Sequence, residues 1–124
     1  ADFSKELMAL TGKKGMDVVI DNVGSVLFEP TRRSLGIGAR WIFIGQLTGD
    51  FVQLNPAQLF FKNIQIKSAK STSRQQLRDA LELVANGMVR PVIHDRWPLE
   101  RAPEAHDLVE SGRTTGRILL KPGL

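Results

Sequence analysis

The chain has 124 residues, 42% hydrophobic and 24% charged, which suits one globular domain with a real core and excludes a disordered polypeptide. It contains no cysteine, which excludes a disulfide framework and any thiolate metal site within it. Its net charge of +4 suits an anionic partner. The basic residues come at most in pairs (Lys13-Lys14, Arg32-Arg33) with acids between them, a pattern that suits a phosphate-bearing small molecule rather than a nucleic acid.

In chain order, Asp2 or Ser4 can cap a short helix with Phe3, Leu7 and Leu10 on one face, stopped by Thr11-Gly12. Met16 to Ile20 is a short β-branched run, as expected of a strand buried on both faces. A helix is predicted between Ser25 and Leu35, beginning or kinking at Pro30, with a turn at Gly36 and Gly38. Trp41 to Ile44 is a second strand. Asn55-Pro56 starts a helix through Phe61, and Asn63 to Ser68 is a third strand.

Ser73 can cap the clearest helix, Arg74 to Asn86, with Leu77, Ala80, Leu81 and Val84 as its apolar stripe and Gly87 as its stop. That stripe is expected to pack on the sheet. Val89 to Trp97 reads as an edge strand or link, and a helix follows from Ala102 to Ser111. Ile118 to Leu120 is a last strand. A domain boundary is expected near Gly87-Pro91. No apolar run reaches the length of a membrane span, so no membrane partner and a cytoplasmic location are expected.

Strands and helices alternating every ~20 residues predict an α/β fold with a parallel sheet. Ligands of such sheets bind beyond the carboxyl ends of the strands. Those ends are Asp21-Asn22-Val23-Gly24, Gly45 to Gly49 and Ser68 to Ser71, all rich in glycine or small polar residues. Asp17 and Asp21 would lie about 13 Å apart along their strand, too far to act as paired acids, and read as solvated turn residues. His94 and His106 have no further ligand at metal-binding spacing.

The segments Asp17 to Gly24, Arg40 to Gly45 and Ser111 to Pro122 together resemble the C-terminal part of the medium-chain dehydrogenases/reductases, which include the zinc-type alcohol dehydrogenases and the quinone oxidoreductases. Asn55 to Phe60 leans toward the quinone-reductase branch. The resemblance implies that residues 1–88 are the second half of a Rossmann fold and that 89–124 are a small α+β tail that packs on a catalytic domain. The family's Gly-rich pyrophosphate turn and its catalytic domain have no counterpart here, so the chain is expected to be a fragment, inactive alone.

The resemblance further implies NADP or NAD as cofactor, with no metal in this chain. It implies nucleotide contacts at Asn22, Val23 and Gly24, at Ile44, Gly45 and Gln46 along the nicotinamide half, and at Ser68, Ala69 and Ser71 near the carboxamide. Arg113 would reach the adenosine phosphate. In the parent, hydride would pass between nicotinamide and a carbonyl, quinone or alcohol. A homodimer through the strand at 63–68 is expected. A fragment of a Rossmann-like methyltransferase and a non-catalytic interaction module are the alternatives.

Overall fold

The structure, a computed structural model, describes residues 2–123. Their backbone contacts divide into two units, one ending at Ser71 and the other starting at Thr72. The helix after Ser73 falls in the second of these units.

In the first unit, α1 spans Ser4–Leu10. Asp2 Oδ1 accepts from the Ser4 amide and hydroxyl at 3.0 and 2.6 Å, so Asp2 is the residue that satisfies the helix start. Strand β1 is Met16–Asp21. A single 3-10 turn, Gly24–Leu27, leads into α2, Phe28–Ser34. Pro30 falls in the first turn of α2, where backbone amides have no helical acceptor, so it neither starts nor kinks the helix.

Strand β2 is Leu35–Phe43, longer than expected. Gly36 and Gly38 lie inside it rather than forming a free turn. Gly15 and Gly36 cross so closely that a Cβ on Gly36 would stand 2.6 Å from the Lys14 carbonyl, and the Gly38 amide donates to the Lys62 carbonyl at 2.7 Å. The ladder is irregular here, jumping from Met16↔Leu35 to Val18↔Arg40. A short α3, Ala57–Phe60, precedes β3, Gln65–Ser68. The three strands are parallel in the order β1-β2-β3.

The core lies on one face of this sheet. Trp41 and Leu35 are fully buried, with Phe28 and Ala39 beside them and Val19, Phe43, Leu54 and Ile64 packed around. Ring centroids of Trp41 stand 4.8 Å from those of both Phe28 and Phe43. Such aromatic pairs add about 0.5–1.5 kcal/mol each beyond their burial. The opposite face is open: Val18 and Ile20 are 41% and 67% exposed. The expectation of a strand buried on both faces therefore fails within this chain, because Val18 and Ile20 on that face stay substantially exposed.

In the second unit, α4 spans Arg74–Ala85. Its cap is as predicted: the Ser73 hydroxyl accepts from the Gln76 amide at 3.2 Å, and Gln76 Oε1 accepts from the Ser73 amide at 2.8 Å. Its apolar stripe is largely exposed, with Leu77 and Leu81 at 55% and 59%. Strands β4, Ile93–Pro98, and β5, Arg117–Lys121, pair in parallel across α5, Ala102–Glu110. The Arg101 guanidinium lies 4.2 Å over the Trp97 ring, and Trp97 Nε1 donates to Asp95 at 2.6 Å. No helix among the described residues is long and apolar enough to cross a membrane.

Candidate functional site

The ladder register sets Asp21, Phe43 and Ser68 side by side as the last paired residues of β1, β2 and β3. The pairing runs one step further: the Ile44 amide donates to the Asp21 carbonyl at 2.7 Å and the Ala69 amide to the Phe43 carbonyl at 2.9 Å. The segments Asn22–Gly24, Ile44–Gln46 and Ser68–Ala69 therefore emerge together at one sheet edge. Asn22, Ile44, Gly45, Gln46, Ser68 and Ala69 are exposed there, Val23 is half-buried and Gly24 is buried. Ser71 lies three residues beyond β3 and is exposed. Arg113 belongs to the second unit, where its amide and Nε both donate to the Ser111 hydroxyl.

Asp21 is not a solvated turn residue. It is 6% exposed and accepts three hydrogen bonds. Oδ1 takes the amides of Val23 and Gly24, both at 2.9 Å, and Oδ2 takes the indole N–H of buried Trp41 at 3.1 Å. One carboxylate thus fixes the turn after β1 and anchors it to the core. The local signal was readable: an Asp that ends a strand bonds readily to the amide two residues on. The indole partner, twenty positions away, was not.

Gly24 has φ +77°, and a Cβ on it would collide with Gln46 Oε1. Gly45 differs: its nearest neighbour to a Cβ would be the Asn22 carbonyl at 3.5 Å, an ordinary contact. Packing within the chain does not require glycine at 45. The Gln46 amide turns back onto Ser25 and Asp50 rather than outward. Ser25 and Asp50 were not singled out from sequence, where nothing marks them.

Away from the strand ends, Arg33 bridges Asp2 at 2.9 Å and Glu29 at 3.3 Å, and Arg32 pairs with Glu29 at 2.7 Å. Hydrogen bonds from Ser4 hold the Asp2 carboxyl below its usual range, with Arg33 assisting. The Arg32 side chain does the same for Glu29. Among the described residues no three His, Cys, Asp or Glu side chains gather closely enough to hold a metal ion.

A family profile described as "zinc-binding dehydrogenase" matches residues 1–120. The chain is 31% identical over 109 residues to an acryloyl-coenzyme A reductase of Metallosphaera sedula, covering 87% of this chain and 33% of that protein. It is 34% identical over 116 residues to a quinone oxidoreductase of Sus scrofa, covering 88% and 35%. The crystal structure of an NAD-dependent alcohol dehydrogenase shares 34% identity and superposes with a TM-score of 0.84, covering 98% of this chain and 36% of that one. The chain thus spans about a third of the length of these relatives. These likenesses to reductases and dehydrogenases displace the methyltransferase alternative. Matched over nearly all its length, the chain belongs to the zinc-binding dehydrogenase family of the medium-chain dehydrogenase/reductase superfamily.

Proposed function

We propose that this chain is part of an NAD(P)-dependent oxidoreductase and supplies the second half of its dinucleotide-binding fold. The observation that carries the reading is the convergence of three parallel strand ends, with their small and glycine-bearing turns, on one exposed sheet edge. Gly45 supports it: the fold does not need glycine there, and a missing side chain leaves the backbone bare to an approaching ligand. The free edge of β1 and the open face at Val18 and Ile20 support the incomplete sheet. In this reading residues 1–88 serve the nucleotide and 89–124 pack on a catalytic domain.

Bound nicotinamide would supply or accept the hydride, with a carbonyl, quinone or alcohol as the other party. The residues of this chain orient it: the backbone of Asn22, Val23 and Gly24 against the cofactor, the segment Ile44, Gly45 and Gln46 along the nicotinamide half, and Ser68, Ala69 and Ser71 near its carboxamide. Arg113 would pair with the adenosine phosphate. The described residues offer no donor set for the family's zinc, so no step is assigned to a metal. The outer edge of β3, whose four residues are exposed and free of proline, suits pairing with a second copy in a homodimer.

The test is oxidation of NADPH and NADH by the full-length protein with quinones, enones and aldehydes, followed by loss of nicotinamide absorbance. Turnover is expected from the full-length protein and none from the 124-residue chain alone. Turnover by the isolated chain would overturn the fragment reading, and S-adenosylmethionine binding with no nicotinamide binding would overturn the activity. Failure of the full-length protein to bind any small ligand would favour the interaction module instead.

A further inference from the structure

The side-chain amide of Gln46 makes three hydrogen bonds within the protein. Its Oε1 accepts from the Ser25 amide at 3.0 Å. Its Nε2 donates to the Ser25 hydroxyl at 2.6 Å and to the Asp50 carbonyl at 3.1 Å. The Ser25 hydroxyl in turn donates to the same carbonyl at 2.6 Å. The Ser25 hydroxyl and the Asp50 carbonyl, 2.6 Å apart, lie on the same side of Nε2, so the amide is turned inward onto its own chain. Beside this seam, the Leu47 amide donates to the Val23 carbonyl at 3.0 Å. Gly24 is the residue that admits the arrangement, because a Cβ there would strike Oε1.

We propose that Gln46 is a positioning residue and not a nucleotide ligand: its amide ties the loop after β2 to the turn after β1. By holding Ser25 and Asp50 together it fixes the backbone of Asn22–Gly24 and Gly45 in the shape the nucleotide meets. The proposal rests on the functional reading above. It assigns Gln46 a different role from the direct contact that family resemblance implies, and it recruits Ser25 and the Asp50 carbonyl to the site. The physical reason is pre-organisation: turns held in the bound shape before binding need not be ordered during it.

The test uses the full-length protein with Gln46→Ala, Ser25→Ala and the double variant. Two quantities are read: nucleotide affinity with NADP and NAD as probes, and amide hydrogen exchange without nucleotide. Each single variant should weaken nucleotide binding roughly fivefold, with the double no weaker than the worse single, as expected of groups acting as one unit. Gln46→Ala should also speed exchange at the Ser25 amide roughly tenfold, the effect of losing one hydrogen bond of ordinary net strength. Weakened binding with unchanged Ser25 exchange and additive effects would make Gln46 a direct ligand and overturn the proposal. Variants that bind as tightly as the wild type would overturn it while leaving the functional reading intact. A wild type that takes up neither nucleotide would remove the functional reading, and the proposal with it.

Discussion

Replacing Asp21 is the sharpest probe of how the turn after β1 is held. Alanine would leave the indole N–H of fully buried Trp41 and the amide of buried Gly24 without acceptors, while the half-buried Val23 amide can turn to water. An orphaned buried donor costs about 1–3 kcal/mol. Relief from burying a carboxylate offsets part of the total, so Asp21→Ala should cost about 2–4 kcal/mol. Asparagine keeps one oxygen for the two amides but turns an NH2 toward the indole N–H, so Asp21→Asn should cost about 1–2 kcal/mol. Urea unfolding followed by far-UV circular dichroism and tryptophan emission reads both. With a urea slope of about 2 kcal/mol/M, the alanine variant should lose about 1–2 M in midpoint at unchanged slope. An alanine variant within about 0.5 kcal/mol of wild type, or an asparagine variant less stable than the alanine one, would refute the reasoning.

Trp41→Ala should cost about 3–5 kcal/mol, since the ring is fully buried between Phe28 and Phe43. Leu81→Ala should cost under ~0.5 kcal/mol in this chain by the same unfolding measurement, because Leu81 is 59% exposed. The Asp2 and Glu29 carboxyls are held below their usual values by Ser4 and Arg32 respectively, so their contribution is present above the unfolded pKa and is lost as pH falls through the folded one. Melting temperatures should therefore fall in acid below about pH 4, and less steeply in Asp2→Asn; equal slopes in both proteins would refute the assignment. Ile66→Pro removes one donor from β3 and should shift light scattering of the full-length protein toward the monomer, if β3 is the dimer edge. A monomeric wild type at high concentration would contradict that assembly.

Local chemistry made much of the fold legible. The β-branched run at Met16 to Ile20 and the Ser73 cap depend on neighbours in sequence and appear where expected, while the helix after Asn55-Pro56 begins one residue later than expected, at Ala57. The beginning of β2 was hidden because Leu35-Gly36-Ile37-Gly38 has the composition of a turn. Only its long-range partners, Gly15 and Lys62, make it a strand. The stripe on α4 told which face is apolar but not what covers it. At the candidate site, the three strand ends could be read from parallel-sheet topology. The tie from Asp21 to Trp41 and the role of Gln46 could not, because each depends on a residue about twenty positions away: Trp41 for one, Ser25 for the other.

The ends of β1, β2 and β3 are proposed as the nicotinamide edge of a dinucleotide site, and hydrogen–deuterium exchange of the full-length protein with and without saturating NADP or NAD tests this. Slowed exchange concentrated at residues 22–25, 44–47 and 68–71 is the predicted footprint. Nucleotide binding that leaves all three segments unchanged while protecting others would contradict the claim.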